Sequence, residues 1–147
     1  MYQISDSTAM KVAGIVSENS ICTRKKVGAV LVKEGNIVAM GFNFVPKHAT
    51  GKCDPCVRQD AIPGIWDGTQ PSCEVIHAEI HVLINALRSN TNINGSTMFI
   101  TYVPCVPCAG VLTQTKIKEV VYKYGYAGCK RALEILEDAG IGIRQVL

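Results

Sequence analysis

Residues Val75–Leu83 read VIHAEIHVL, two histidines around one glutamate. His77 and His81 stand four apart, so on a helix they share a face, the spacing of a helix-borne metal pair. His77 and Glu79 stand two apart and fall on different faces. A chelating HExxH pair needs glutamate directly after the first histidine, and here Ala78 holds that place. A second arrangement fits better. If the metal sits off the helix N-terminus, the first turn can send His77 to the metal and Glu79 to a substrate. Its partners lie downstream in PCVPC, Pro104–Cys108. Cys105 and Cys108, three apart at a helix start, can point at one spot. Three protein ligands with a fourth place open form the catalytic zinc pattern. Helix N-termini carry partial positive charge and unpaired N–H groups, which favour thiolates and an activated water. Glu79 is then a proton shuttle and not a ligand, and His81 is a flank residue that packs or hydrogen-bonds.

Outward from this segment the chain alternates helix and strand. Ser7 to about Asn19 has helical spacing through Met10, Ala13 and Val16, with Ser5, Asp6 or Ser7 as N-cap. Val27–Val32 and Ile37–Phe42 form a hairpin about the turn EGN. Asn43 to Ser72 shows no period and carries Pro46, Pro55, Pro63 and Pro71; a loop of that length is usually functional. Ile76–Arg88 is a helix with Ile80, Leu83, Ile84 and Leu87 on one side. Strand Thr97–Tyr102, helix Cys105–Thr115, strand Glu119–Lys123, helix Lys130–Ala139 and strand Ile141–Val146 follow, with Gly140 as the last helix stop. This order implies a single layered α/β domain, residues 1–147, around a mainly buried sheet.

Composition excludes several classes. The 147 residues are 48% hydrophobic and 18% charged, which is globular and not disordered. A net charge of +3 permits an anionic ligand without suggesting a dedicated nucleic-acid binder. The apolar runs are too short to cross a bilayer. The start, MYQISDSTAMKVAG, lacks a basic segment followed by an apolar one, so no signal peptide and a cytoplasmic location are expected. Seven cysteines without a secretory signal point to metal ligation or catalysis before disulfides.

The pattern H-x-E…P-C-x-x-C is the signature of zinc nucleobase deaminases. From about Ser17 onward, SICTRKKVGAVLVKEGNIVAMGFNFVP, HAEIHVLINA, MFITYVPCVPCAGVL and IKEVVYKYGY occur in the order found in the deoxycytidylate (dCMP) deaminase family, which the chain resembles. The resemblance implies the cytidine-deaminase fold, a central mixed five-stranded sheet between helices. It implies zinc-dependent conversion of dCMP to dUMP, which feeds dTMP synthesis. It also implies a homohexamer regulated by dCTP and dTTP, with Mg2+ accompanying the triphosphate. Substrate contacts carried over this way are Asn43 to the sugar, Ala78, and Tyr126 closing the pocket, with Arg24 or Lys26 for phosphate. Gly41, Phe42 and Phe44 fall where effectors bind. Two departures stand out: His81 replaces the family's usual asparagine, and GFNF (Gly41–Phe44) replaces G-Y-N-G.

Plainer readings stand beside these. Asn43 can simply close a strand, Tyr126 can pack, and Arg24–Lys26 can be a solvated basic turn. Cys22, Cys53, Cys56 and Cys73 form either a second, four-ligand structural zinc site or buried free thiols. Another deaminase of this fold, acting on a nucleoside, free base or tRNA adenosine, remains open, as does a non-catalytic zinc scaffold. Glu79 argues against the scaffold, because a structural site gains nothing from a carboxylate beside an open position.

Overall fold

The computed structural model describes residues 2–52 and 73–146. In chain order these form α1 (Asp6–Ser17), β1 (Gly28–Lys33), β2 (Asn36–Phe42), a 3₁₀ turn (Lys47–Lys52), α2 (Ala78–Arg88), β3 (Thr97–Tyr102), α3 (Val106–Thr113), β4 (Glu119–Tyr124), α4 (Lys130–Asp138) and β5 (Gly142–Gln145). The five strands make one mixed sheet in the order β2-β1-β3-β4-β5. β1 pairs antiparallel with β2 and β3. β3, β4 and β5 run parallel, joined by helical crossovers as parallel strands require.

Local chemistry explains the elements. Ser5 caps α1 by accepting a bond from the Thr8 amide at 3.1 Å. The β1–β2 hairpin turns on Glu34 (φ 51°) and Gly35 (φ 77°) between paired Lys33 and Asn36. Two left-handed residues match the twist of the flanking strands, and glycine meets that demand without a Cβ penalty. α4 ends as expected at Gly140, whose φ of 77° lets Ile141 N–H reach the Leu136 carbonyl at 3.0 Å.

Alternate strand residues feed two cores. Ala29, Leu31, Met98, Ile100 and Val120 face α2, α3 and α4, where they meet Ala78, Val82, Ala86, Ala109, Leu112, Ala132 and Leu136. Val30, Phe99 and Val121 face the other way onto Ala9, Met10 and Ala13 of α1. Fully burying one such Leu or Ile contributes about 1.5–3 kcal/mol.

α2 departs from the sequence reading twice. It begins at Ala78, because Ile76 is held extended by a two-bond bridge with Phe44 (2.8 and 3.0 Å). Its buried face is Ala78, Glu79, Val82 and Ala86, whereas Leu87 is 80% exposed. The cause is close packing on β2. A Cβ on Gly41 would lie 2.4 Å from the Val82 backbone nitrogen, so only small residues fit between helix and strand, and the large ones move to the flank. The long loop is also not wholly irregular, since it opens with the Phe44 bridge and the 3₁₀ turn.

Gly41→Ala should lower stability by about 1–3 kcal/mol through overpacking. Gly14→Ala, at an α1 position with open space around it, should raise it by about 0.5–1 kcal/mol. Urea unfolding of both variants checks the opposite signs.

Candidate active site

The carboxyl ends of β2, β3 and β4 meet the start of β1 at one end of the sheet, as the pairs Gly28↔Phe42 and Tyr102↔Tyr124 show. Ligands in open α/β sheets favour this kind of end. The helices α2 and α3 both start there. His77 is the N-cap of α2 (φ −67°, ψ 153°) and Cys105 the N-cap of α3 (φ −71°, ψ 167°). Neither side chain caps its own helix, so both are free to project off the helix end.

They project at one another. His77 Nδ1 lies 3.4 Å from Cys105 Sγ and 3.4 Å from Cys108 Sγ. The three ligand atoms lie within 4.8 Å of one another. A tetrahedral zinc ion with bonds of ~2.0 Å to nitrogen and ~2.3 Å to sulfur has nitrogen–sulfur edges of about 3.5 Å, so the donor set fits Zn2+ with one position left over. The sequence expectation of His77, Cys105 and Cys108 as one cluster is met in geometry. His81, the rival ligand, turns away from it.

The electrostatics agree with a cation site. The Cys105 thiol is pushed down to about 4, chiefly by a hydrogen bond from Cys108, with burial opposing and His77 assisting. Cys108 is pushed up, as the donor in that bond and by burial and the nearby Glu79 charge. Without a cation the pair therefore holds one thiolate and one thiol. Glu79 is 4% exposed. Burial raises its carboxyl to about 7, against the opposing effects of its own backbone hydrogen bond and His77.

A cavity of about 240 Å³ opens onto this cluster. Its walls include His77, Ala78, Glu79, Cys105, Asn43, Tyr126 and Arg24, all singled out in the sequence, together with Lys25, Tyr102 and Val103. Lys26 is exposed and is not among the lining residues. Asn43 is buried, and its amide ties two strand ends together. Oδ1 accepts from the Val27 amide at 2.8 Å, and Nδ2 donates to the Lys25 carbonyl at 2.8 Å. One N–H and one lone pair of that amide remain for a ligand. Tyr126 donates to the Pro104 carbonyl at 3.2 Å, bracing the loop that leads into Cys105.

Phe42 and Phe44 point to the other side of Asn43. Their rings lie 4.8 Å and 4.3 Å from the His81 ring. His81 Nδ1 sits 2.8 Å from the Phe42 carbonyl oxygen and 3.1 Å from the Phe42 amide nitrogen. It donates to the first when protonated and accepts from the second when not. The flank role read for His81 is thus a brace between α2 and the segment carrying Asn43. Gly41 serves packing at the same contact. Cys22 and Cys73 line the cavity, whereas Cys53 and Cys56 lie outside the described residues.

Tyr102 escaped the sequence reading, and Lys25 entered it only as one of the three basic residues Arg24–Lys26. Tyr102 ends β3 two residues before Pro104, and that position at a strand's carboxyl end is a usable signal. For Lys25 there was none, because three consecutive basic residues do not say which one turns inward.

The family model described as the cytidine and deoxycytidylate deaminase zinc-binding region matches residues 3–124. The deoxycytidylate deaminase of Enterobacteria phage T4 is 31% identical over 95% of this chain and 89% of its own length. That of Saccharomyces cerevisiae is 33% identical over 95% of this chain, which spans only 44% of the yeast protein. The solved structure of dCMP deaminase from the cyanophage S-TIM5 in complex with dCMP and dUMP superimposes with a TM-score of 0.73 at 28% identity, covering 93% of each chain. The fold and the His-Cys-Cys site define a zinc-site deaminase. The chain belongs to the cytidine and deoxycytidylate deaminase family.

The metal assignment is checked by metal content. Cys105→Ser and Cys108→Ser should each lose about one equivalent of zinc per chain, because the site has only three protein ligands. Elemental analysis after gel filtration reads the loss.

Proposed function

We infer that this chain catalyses the hydrolytic deamination of dCMP, with water as co-substrate and dUMP and ammonia as products. The observation that carries the reading is that the His77–Cys105–Cys108 cluster and the buried Glu79 face one cavity. The relatives named deoxycytidylate deaminase support it, as does the dCMP and dUMP in the S-TIM5 complex.

Each group has a task. His77, Cys105 and Cys108 would hold Zn2+, which would supply Lewis-acid activation of a water. Glu79 accepts a proton from water as the water oxygen bonds to C4 and passes that proton to N3 of cytosine; it then takes the proton of the new C4 hydroxyl and delivers it to the exocyclic nitrogen, which leaves as ammonia as the C4–N bond breaks and the C4 carbonyl forms. The remaining amide valences of Asn43 suit the sugar. Ala78, first residue of α2, leaves its backbone N–H without a helical partner and in reach of the cavity it lines. Tyr126 closes the cavity it lines. The product dUMP is the substrate form from which dTMP is made. The free thiols at Cys22, Cys73, Cys105, Cys108 and Cys129 suit a reducing compartment such as the cytoplasm.

The same reading includes regulation, in a homohexamer that binds dCTP or dTTP with Mg2+. What supports it here is position: Gly41, Phe42 and Phe44 share one backbone segment with Asn43, so a ligand displacing the phenylalanines from His81 would move a cavity wall. A coupling of about 1–3 kcal/mol is typical of such devices. It is tested by dCMP saturation curves with and without each triphosphate; a curve that neither moves would remove this part and leave catalysis standing.

Glu79→Ala should keep its zinc and lose turnover by about 10²–10⁴-fold, the usual contribution of a positioned proton shuttle. Ammonia release from dCMP, read beside metal content, checks this. Loss of zinc in that variant would make Glu79 a ligand and overturn the assignment.

A further inference from the structure

Among the described residues β2 is an edge strand, paired only with β1. An edge offers backbone groups that no strand covers, a liability that folds manage explicitly. Here α2 covers them. The Met40 carbonyl accepts from Asn85 Nδ2 at 2.7 Å. Two residues on, the Phe42 amide nitrogen lies 3.1 Å and the Phe42 carbonyl oxygen 2.8 Å from His81 Nδ1. Two further on, Phe44 exchanges both backbone bonds with Ile76, just ahead of the helix. The spacings match. His81 and Asn85 are one turn apart, about 6 Å along a helix axis. Phe42 and Met40 are two residues apart, about 6.7 Å along a strand. Sliding α2 by one residue would shift it about 1.5 Å and turn it about 100°, and both side chains would lose their partners at once. Gly41 and Val82, the point of closest approach, fall between the two bonds in sequence. A single close contact is a pivot, and bonds on both sides of it stop the helix from rocking.

We propose that His81 and Asn85 are positioning residues for the deamination: by clasping the edge of β2 on both sides of the Gly41 contact, they hold the first turn of α2, and with it the Glu79 carboxyl, in place beside Asn43. This rests on the deaminase reading above and adds to it two residues that touch no reacting atom. Neither lines the cavity. Glu79 stands two residues before His81 on the same helix, so a tilt at His81 reaches it directly. The metal cluster has a hold of its own, since Cys105 and Cys108 come from the start of α3. Loosening the clasp therefore acts on proton transfer more than on metal retention. Misplacing a catalytic group by about 1 Å can cost ~10²-fold in rate. The chemistry of the clasp is polar. An asparagine amide puts a polar atom about as far from the backbone as the Nδ1 of histidine, and can donate or accept there. Phenylalanine keeps a ring against Phe42 and Phe44 but satisfies neither Phe42 group.

The test compares wild type with His81→Phe, His81→Asn and Asn85→Ala, and with Leu136→Val as a packing control in the core beside α4. Each is read for kcat and KM on dCMP, zinc content, melting temperature and amide exchange at Phe42. His81→Phe should keep its zinc, hold KM within about threefold and lower kcat by about tenfold or more. His81→Asn should recover most of that loss. Asn85→Ala should lower kcat in the same direction and speed exchange at Phe42, although its own partner is Met40. Leu136→Val should lower the melting temperature and leave kcat unchanged. Unchanged kcat in His81→Phe and Asn85→Ala overturns the proposal, as does a kcat loss that Leu136→Val shares; the clasp is then edge cover alone. Should His81→Phe fail to fold, Asn85→Ala decides by the same criteria. A wild type that deaminates no cytosine compound overturns the deaminase reading instead; exchange at Phe42 in Asn85→Ala then still decides whether the two bonds act as one clasp.

Discussion

The contact between α2 and β2 at Gly41 is the constraint on which the site depends. No methyl group fits there, because the Val82 backbone stands 2.4 Å from where a Cβ would be. Interiors pack at crystal-like density, so a helix held this close has one depth and one register. That depth sets where α2 begins relative to the strand ends. With Ile76 bridged to Phe44, the first helical residue is Ala78, and His77 and Glu79 are left at the end that faces α3. The smallness of Ala78 and Ala86 follows from the same contact, and so does the exposure of Leu87.

A helix start at each ligand solves an electrostatic problem. Cys105 and Cys108 share one proton in a hydrogen bond, which pushes Cys105 down and Cys108 up, and two thiolates so close would repel. The partial positive ends of α2 and α3 offset some of that repulsion before any metal arrives. A divalent cation held there would offset the rest, with Cys108 bound as thiolate. Glu79 sits in the same field but is buried by the helix that carries it. Its carboxyl is raised chiefly by burial, which sets it apart electrostatically from His77 two residues away.

Much of this was legible in the sequence because it is local. The hairpin turn at Glu34–Gly35, the stop at Gly140 and the HAE and PCVPC helix starts are each written in a few adjacent residues. The clustering of His77, Cys105 and Cys108 followed from donor types and spacing. The face of α2 was misread, because hydrophobicity marks Leu87 and Ile80 as core, and only the partner strand reveals that small residues must occupy the contact. The inward turn of Lys25 was invisible for a similar reason. It is set by Asn43, eighteen residues away, whose amide clasps the chain at Lys25 and Val27 and so selects which of three basic residues meets the tyrosines. His81 was legible as a flank residue but not as a brace, since its partner, Phe42, is brought to it only by the sheet.

The cavity that results is polar in a directional sense. Its wall carries Cys105 and Glu79, groups whose charged forms are anionic, and also Arg24 and Lys25, whose charged forms are cationic. A ligand with an electron-poor heterocycle at one end and an anion at the other has one favourable orientation in such a field, and the reversed pose sets like charges together. Discrimination of this kind works as much by repelling the wrong pose as by attracting the right one. Asn43 is the joint that makes the two pairs one site. Its flanking phenylalanines lean on His81 of α2, and its amide holds Lys25 and Val27. The helix that supplies His77 and Glu79 is thereby tied to the segment that supplies Arg24 and Lys25. The distance between His77 and Glu79 on one side and Arg24 and Lys25 on the other is then fixed by packing and hydrogen bonds already made in the fold, so a ligand spanning them would meet a preorganised wall.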